Sequence, residues 1–250
     1  MKTRDDAPSG FFEAEAAGLR WLAAAPGGAR VVRVVDVAPG RIELERVRTA
    51  RPDRIAARAF GAALAATHDA GAAAFGARPD GWDGPVFIGR LEQAAVPETS
   101  WGRFYAEQRV RPFLAPAVRN GNLAPTDADA VAAVCDVIAA GDFDDDEPPA
   151  RIHGDLWNGN VLWTPDGAVL IDPAAHGGHR ETDLAMLDLF GCPFLEDVLE
   201  GYRDAHPLRD GWRERIPLHQ LHPLAVHAVG HGPAYGAALA DAARRVRALR

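Results

Sequence analysis

The segment from residue 151 to 185 restricts the possible folds of this chain more than any other. Two short apolar runs, Val161–Trp163 and Ala168–Ile171, flank the tetrapeptide Thr-Pro-Asp-Gly. Proline presets φ and glycine accepts a positive φ, so the tetrapeptide predicts a tight turn and the two runs predict a β-hairpin. Pairing across that turn sets Asn160 and Asp172 nearly opposite each other, with their Cβ atoms roughly 4.5–5.5 Å apart.

An amide oxygen and a carboxylate at that spacing suit a magnesium ion. Mg²⁺ takes one or two protein carboxylates and completes its octahedron with water and substrate phosphates. Asp155 lies five residues before Asn160, in a loop whose glycines permit sharp turns. Phosphoryl transfer needs metal ions on the phosphates and a carboxylate that orients and deprotonates the attacking hydroxyl. The pattern therefore predicts Asp155 as the general base and Asn160 with Asp172 as metal ligands, although each alone is also typical of a turn.

Three of these motifs resemble a known class of enzymes. His153-Gly-Asp155, Asn160 and Ile171-Asp172-Pro173 resemble the catalytic loop and metal motif of the protein-kinase-like phosphotransferases, which include aminoglycoside phosphotransferases and choline kinases. The longer runs His-Gly-Asp-Leu-Trp-Asn-Gly-Asn and Ile-Asp-Pro-Ala-Ala-His-Gly-Gly-His-Arg-Glu-Thr-Asp-Leu-Ala-Met resemble the fructosamine-3-kinase, or ketosamine kinase, family. Trp157 and the Gly-Gly-His-Arg-Glu run make the resemblance specific, because generic phosphotransfer does not require them.

This resemblance covers nearly all 250 residues and implies an α/β (α+β) protein-kinase-like fold of two lobes. Residues 1–48 would form a small nucleotide-binding lobe, and residues 49–250 a large helical lobe with the catalytic loop and the acceptor site. We expect the small lobe to be incomplete, since the strands that precede the lysine strand in such enzymes have no sequence to form them. We expect the natural start to lie upstream.

Local patterns along the chain agree with that division. Phe12, Ala16, Leu19 and Ala23 recur at helical spacing, and β-branched runs at 31–37 and 42–47 predict a hairpin. Helices are then predicted over residues 55–68, 101–114, 126–140, 181–190, 193–202 and, as one or two, 212–249. The connection 71–97 is longer than an inert loop usually is, and we expect it to border the cleft. In the family it ends in Gln-x-Asn, whereas here Gln93 is followed by two alanines, a departure that bears on the acceptor pocket.

Lys2 is the only lysine beside 26 arginines. A compact ammonium fits between phosphate oxygens and a carboxylate where a planar guanidinium does not fit in the same way. The resemblance implies that Lys2 contacts the phosphates of ATP and that a glutamate of the first helix holds it there. Glu15 matches that glutamate, with Glu13 as the rival.

The resemblance also implies roles for residues farther along the chain. Glu45 and Val47 fall where the backbone that joins the two lobes would hold the adenine. Asp183 would brace the catalytic loop from below through backbone hydrogen bonds. His176 follows Asp172 by four residues and would therefore overhang the cleft, so we expect it to contact the acceptor together with Trp157.

Other metal sites have weaker support. His227 with His231, and His219 with His222, have helical spacing, but catalytic zinc needs three convergent ligands and no carboxylate stands at HExxH spacing. The acidic run 142–147 lacks the glycine and the closing glutamate of a calcium loop, and a solvated loop is favoured.

Composition and charge exclude several classes of protein. The net charge of −8 argues against a nucleic-acid-binding protein, which needs a surplus of Lys and Arg on one face. The N-terminal residues lack the apolar run of a signal peptide, and no uncharged stretch approaches the ~18 residues of a membrane span. Cys135 and Cys192 form neither a disulfide framework nor a CxxC metal site. We expect a cytoplasmic monomer with no nucleic-acid or membrane partner.

The reaction that the resemblance implies is MgATP-dependent phosphorylation of the 3-hydroxyl of ketosamines. These are fructosamine or ribulosamine adducts on free amines or protein lysines, and phosphorylation destabilises the adduct and so repairs glycation. Two alternatives stay open. One is a small-molecule kinase of the aminoglycoside or choline phosphotransferase type, and the other is an inactive, truncated binding protein that does not turn over ATP.

Overall fold

The computed structural model of the protein describes residues 1–249. Its first part consists of β1 (Lys2–Thr3), α1 (Phe11–Ala23), β2 (Val34–Ala38) and β3 (Arg41–Leu44). The strands form one antiparallel sheet in the order β1-β3-β2, with Lys2 opposite Ile42. The predicted hairpin is present, but β2 begins only at Val34, because Val31 instead forms a bridge to Leu170 in the later part of the chain.

α1 follows the predicted helical spacing. Phe12, Ala16 and Leu19 are buried along one face, and the helix packs against β2 and β3. Burial of such side chains, at about 25 cal/mol per Å² of apolar surface, holds the helix on the sheet. The packing fixes the face from which Glu15 reaches β1.

The later part of the chain is mainly helical. In chain order its elements are α2 (Arg54–Asp69), β4 (Val86–Ile88), β5 (Leu91–Gln93), α3 (Trp101–Phe104), a π-helical segment (Tyr105–Val110), α4 (Arg111–Arg119), α5 (Pro125–Ala139), β6 (Ala150–Ile152), a 3₁₀ turn (Asn158–Asn160), β7 (Val161–Thr164), β8 (Gly167–Leu170), β9 (His176–Gly178), α6 (Arg180–Phe190), α7 (Leu195–Ala205), α8 (Trp212–Gly230) and α9 (Pro233–Arg247). β7 pairs with β8, and β6 pairs with β9, both antiparallel. Among the helices of residues 1–249, none is long and apolar enough to cross a membrane.

The predicted helices lie at their expected places, with one departure. The helix expected over residues 101–114 starts at Trp101 under a Ser100 cap, whose side chain accepts a hydrogen bond from the backbone of Arg103. It then widens into the π-helical segment before α4 continues to Arg119. A π-helical insertion shifts the side chains that follow it around the helix axis, and such insertions are frequent at functional sites.

The long connection 71–97 contains a hairpin that the sequence did not predict. β4 pairs with β5, with Phe87 opposite Glu92 and Ile88 opposite Leu91, across a two-residue turn. Gly89 in that turn has a φ of 53°, which glycine accepts without strain. This β4–β5 hairpin packs against α1 and so connects the first and later parts of the chain.

Two hydrophobic cores lie within residues 1–249. The first joins α1 and β3 to α2, α7 and the β7–β8 hairpin, and includes Leu19, Ile42, Leu64 and Leu170. It therefore extends across the predicted boundary at residue 48, which stays a prediction. The second joins the segment 101–119 to α5, α8 and α9. The catalytic-loop residues lie beside the first core, where Leu156 is fully buried.

Candidate active site

A cavity of about 600 Å³ lies between the first sheet, α1, the β4–β5 hairpin and the loop that follows β8. Such volumes are typical of small-molecule sites. Its lining includes six of the residues that the sequence predicts as functional: Lys2, Glu15, Asp155, Trp157, Asn160 and Asp172.

The β7–β8 hairpin brings Asn160 and Asp172 together, though not in the expected register. Val161 faces Leu170, and Asn160 O accepts a 3.1 Å hydrogen bond from the backbone of Ile171. Asp172 thus lies one residue beyond the position opposite Asn160, where strand alternation would turn its side chain to the other face. The backbone of Asp172 leaves the strand conformation and has a φ of 53°. This left-handed conformation, uncommon outside glycine, allows the carboxylate to line the cavity.

Asp155 and Asn160 are in direct contact. Asn160 Nδ2 donates to Asp155 Oδ2 at 3.1 Å and to Asp155 O at 2.8 Å. Burial raises the pKa of Asp155 to about 7; the Asn160 hydrogen bond opposes this rise, while the negative charges of Asp183 and Asp172 add to it. A carboxylate with a pKa near neutrality is suited to accept a proton from a hydroxyl.

Lys2 lies on β1 and contacts both predicted partners. Its ammonium donates to Glu15 Oε1 at 2.9 Å and also to Asp172 Oδ1. Burial opposes the charged form of Lys2, but the carboxylates of Glu15 and Asp172 outweigh it and raise its pKa. Glu13 lines a separate groove on the outer side of α1, so the geometry favours Glu15 over Glu13.

Asp183 is fully buried beneath the catalytic loop. Its Oδ2 accepts a 2.7 Å hydrogen bond from the backbone of His153, and its Oδ1 accepts one of 3.0 Å from Gly154. His68 of α2 lies 3.2 Å from Asp183 Oδ2 through Nε2. Burial opposes ionisation, but the hydrogen bonds and charges of His68 and His153 hold the pKa of Asp183 below its usual range. The sequence analysis did not predict a role for His68. Its helical spacing from Phe60 and Leu64, on the buried face of α2, is the pattern that could have indicated one.

One predicted position is wrong. His176 does not overhang the cleft: only 4% of the residue is exposed, and it does not line the cavity. The physical reason is that it starts β9, opposite Ile152, which turns its ring into the interior, where Nδ1 lies 2.8 Å from Ala174 O.

Glu45 and Val47 also do not line the cavity. Glu45 Oε1 accepts a 3.1 Å hydrogen bond from the backbone of Arg33, and Val47 packs against the first core. Their backbone contact with adenine stays a prediction.

The β4–β5 hairpin forms the cavity wall opposite the catalytic loop, where the sequence predicted only that the connection 71–97 borders the cleft. Residues 86–90 of the β4–β5 hairpin line the cavity, and the ring of Phe87 lies 5.3 Å from that of Phe11. On the loop side, Trp157 is 41% exposed and meets Phe190 edge-on at 6.0 Å. Trp157 and the hairpin thus give the cavity an aromatic and apolar side that faces a charged one.

The Gly-Gly-His-Arg-Glu run, residues 177–181, does not line the cavity. His179 caps α6 by accepting a hydrogen bond from the backbone of Glu181, and Arg180 is buried with its Nε 2.8 Å from Glu147 Oε2. The prediction of a solvated loop for the acidic run 142–147 is therefore incomplete. Asp145 lies 3.4 Å from His179, and Glu147 forms an ion pair with Arg180.

Within residues 1–249, one group of side chains could hold a metal outside the cavity: His179, Glu181 and His219, whose ligand atoms lie within 4.8 Å of one another. Arg215 already binds Glu181 through two hydrogen bonds of 2.5 and 3.0 Å. This cation supplies the positive charge that Glu181 requires, and the group forms a buried ion-pair network.

The fold and the cavity define a protein-kinase-like phosphotransferase. The sequence model of the fructosamine kinase family matches residues 1–248. A relative from Enterococcus faecium, designated a probable ketoamine kinase, is 30% identical over 94% of this chain and 83% of its own length. The chain belongs to the fructosamine kinase family.

Solved structures agree with that assignment. A protein of Thermobifida fusca, provisionally designated a fructosamine-3-kinase, superposes with a TM-score of 0.89 at 50% identity over 98% of this chain and 83% of the other. A choline/ethanolamine kinase family protein from Mesorhizobium loti has a TM-score of 0.54 at 18% identity over 95% of this chain and 78% of the other, a likeness of fold alone. The protein is therefore an enzyme that transfers phosphoryl groups, with the predicted kinase-like fold.

Proposed function

We propose that the protein transfers the γ-phosphoryl group of MgATP to the 3-hydroxyl of a ketosamine, and that it acts in the repair of glycated amines. The observation that carries the proposal is the convergence of Lys2, Asp155, Asn160 and Asp172 on one cavity in a chain of the fructosamine kinase family. Fructosamine and ribulosamine adducts are the acceptor class, either on free amines or on protein lysines. We further propose a cytoplasmic monomer.

The donor set fits a magnesium ion. Asn160 turns its amide nitrogen toward Asp155, and within residues 1–249 its Oδ1 takes part in no hydrogen bond, which leaves that oxygen for a hard cation. The Asp172 carboxylate lines the same cavity. Asn160 and Asp172 would hold the ion, and Mg²⁺ when bound neutralises charge on the phosphates.

Lys2 and Glu15 serve the phosphates of the nucleotide. The Lys2 ammonium contacts both Glu15 and Asp172. The Glu15 contact comes from the adjacent helix and orients the ammonium toward the cavity. Lys2 supplies positive charge to the phosphates, and Glu15 keeps it in place.

Asp155 is the base. Its Oδ2 is held by Asn160, so Oδ1 receives the proton when the acceptor hydroxyl attacks phosphorus. With a pKa of about 7, the carboxylate is substantially ionised at neutral pH and still basic enough to take that proton. Asp183 holds the two preceding backbone amides and so maintains the direction in which Asp155 points.

The acceptor binds between Trp157 and the β4–β5 hairpin. Trp157 offers an exposed ring at the mouth of the catalytic loop, and residues 86–90 face it across the cavity. An aromatic face suits the apolar C–H side of a sugar, while the charged side of the cavity addresses its hydroxyls.

An acceptor panel tests this proposal. The protein is incubated with MgATP and, separately, a fructosamine, a ribulosamine, an aminoglycoside and choline, while ADP release is followed. We expect the two ketosamines to give turnover well above the ATP-only background and above the other acceptors. Preferential turnover of the aminoglycoside or choline would instead assign a small-molecule kinase of that type, and background turnover with every acceptor would contradict the proposal.

A further inference from the structure

Arg109, in the π-helical segment, is a buried cation without an acidic partner. The residue is 1% exposed, and across the described chain no carboxylate forms an ion pair with it. Arginine is almost never fully buried unless it is paired. Burial lowers the pKa of Arg109 to about 9, which is still above neutrality, so the guanidinium carries its charge at pH 7. Burying an unpaired guanidinium costs desolvation free energy, which indicates that Arg109 has a role beyond packing.

The contacts of Arg109 join two separate segments that lie behind the cavity wall, one next to the β4–β5 hairpin and one at the start of β9. Nε donates to His176 Nε2 at 3.4 Å, and Nη1 donates to Ala94 O at 2.8 Å. The guanidinium lies over the ring of Phe104, 4.5 Å from its centroid. Within residues 1–249, Nη2 has no hydrogen-bond partner. The side chain is therefore held in one orientation by backbone, ring and imidazole.

The contact with Arg109 determines the protonation of His176. A guanidinium has only donors, so His176 Nε2 must accept, and the ring proton of the neutral imidazole must be on Nδ1. Nδ1 then donates to Ala174 O at 2.8 Å. Burial and the charge of Arg109 hold the pKa of His176 well below its usual range, consistent with a neutral ring.

Ala174 O is in turn close to the catalytic loop. A Cβ placed on Gly154 would lie 2.3 Å from Ala174 O and 3.0 Å from His176 Cε1. Gly154 precedes Asp155, and Ala174 lines the cavity together with Asp172. A shift of the Ala174 carbonyl would therefore change the position of the segment Asp172–Ala175 relative to the catalytic loop.

A second connection leads from Arg109 to the hairpin. Its backbone O accepts from His222 Nδ1 at 2.6 Å, and His222 Nε2 in turn accepts from Gln93 Nε2 at 3.2 Å. Gln93 ends β5 and precedes Ala94, so both the backbone and the side chain of Arg109 are tied to the end of the β4–β5 hairpin.

We propose that Arg109, acting through His176, is a positioning residue that fixes the segment Asp172–Ala175 relative to the β4–β5 hairpin. Arg109 does not itself line the cavity. It sets the spacing between the side of the cavity that holds the phosphates and the side that holds the acceptor. The proposal rests on the proposed function, since that spacing matters only if both groups react in this cavity.

The first test compares Arg109→Met with Arg151→Met. Arg151 is a matched control: its guanidinium lies 4.5 Å from the centroid of the Trp21 ring, it donates to two backbone carbonyls, and it does not line the cavity. We expect Arg109→Met to lower kcat about 10–100-fold, the usual effect of removing such supporting contacts, with KM for ATP within a few fold. Arg151→Met should lower the melting temperature and leave kcat per folded molecule unchanged. Equal kcat in the two folded variants would overturn the proposal.

The second test changes His176 and is informative even if Arg109→Met fails to fold. His176→Asn keeps a donor near the Nδ1 position and so can still bind Ala174 O, whereas His176→Gln moves its donor toward the Nε2 position. We expect the asparagine variant, which loses the acceptor for Arg109 but keeps the bond to Ala174 O, to lose no more of kcat than Arg109→Met, and the glutamine variant, which loses that bond, to lose about tenfold or more beyond it. Equal kcat in these two variants would contradict a role through Ala174 O.

A spectroscopic measurement separates this proposal from the proposed function. Side-chain ¹⁵N shifts of His176 in the wild-type protein should show a protonated Nδ1 and an unprotonated Nε2, whether or not a ketosamine is turned over. The opposite tautomer would overturn the positioning role. A wild-type protein with the expected tautomer that turns over no ketosamine would instead contradict the proposed function.

Discussion

The two sides of the cavity are built in different ways. On the side that we propose holds the phosphates, the phosphate side, Lys2 contacts Asp172, and Asp155 and Asp172 come from the short stretch of chain around the β7–β8 hairpin. The acceptor side consists of the β4–β5 hairpin and Trp157, and is held in place by packing against α1 and by buried contacts from distant helices. Changes on the first side should therefore stop the chemistry for every acceptor, and changes on the second should alter which acceptor is used.

The largest expected effect is that of Asp172→Ala. Removing this carboxylate leaves Asn160 alone for Mg²⁺ and also frees the Lys2 ammonium, so productive MgATP binding should be abolished. Nucleotide calorimetry across a magnesium titration, together with ADP release, checks this. An unchanged magnesium dependence would mean that the hairpin does not hold the metal.

The second-largest effect is expected for Asp155→Asn. The base acts on the acceptor and contacts the nucleotide little, so kcat should fall by about 10²–10⁴ while the affinity for ATP stays within a few fold. Steady-state kinetics with a ketosamine, and a separate measurement of ATP binding, give both quantities. Near-full turnover would remove Asp155 from the role of base.

Asp183→Ala is expected to affect stability as well as rate. It leaves the buried backbone amides of His153 and Gly154 without an acceptor and the Nε2 atom of His68 without its partner, which should lower the free energy of unfolding by about 3 kcal/mol. Urea unfolding measures it. Asp166→Ala, at the exposed turn of the β7–β8 hairpin, is the control and should stay within about 0.5 kcal/mol.

The pH dependence of kcat/KM and of stability should arise from Asp155, on the phosphate side. Asp155 must be ionised to act, and its pKa is about 7, so kcat/KM should rise as pH increases through about 7, tenfold per unit on the acidic side. Since the folded pKa is raised, the native state holds an extra proton between the ordinary pKa of aspartate and about 7, and stability should fall as pH rises across that range. Asp155→Asn should remove this fall in stability.

The smallest effect should come from the acceptor side. Trp157→Ala should raise KM for a ketosamine about tenfold, roughly the value of one aromatic contact, with kcat and KM for ATP little changed. Phe194→Ala is the control, because Phe194 is similarly exposed at 38% but does not line the cavity. A parallel rise in KM for ATP would show that Trp157 serves both sides.

The same difference between the two sides explains what the sequence could predict. The Thr-Pro-Asp-Gly turn and the helical spacing of α1 are local signals, and they correctly predicted the β7–β8 hairpin and the first helix. The family resemblance, not a local signal, pointed to Lys2 and Glu15, which line one cavity with Asp155, Asn160 and Asp172. The left-handed backbone at Asp172 was missed because strand alternation alone puts its side chain on the other face.

The acceptor side was less predictable because its contacts join residues far apart in the chain. β4 and β5 are three residues each, too short to give a clear alternating pattern. His176 lies four residues after Asp172, which suggested an exposed contact, but its pairing in β9 turns it inward. The buried face of a short strand such as β9 is set by residues far away in the chain, which the local sequence does not reveal. For His176 these residues are Arg109 and Phe104.

We propose that Asp155 activates the 3-hydroxyl of a ketosamine for attack on MgATP. The most direct test is to follow ADP release and the position of the new phosphate by ³¹P and ¹³C NMR, with a fructosamine and its 3-deoxy analogue as acceptors. We predict a 3-phosphate from the fructosamine and no turnover of the 3-deoxy analogue. Equal ADP release with both acceptors, or a phosphate on another hydroxyl, would contradict the claim.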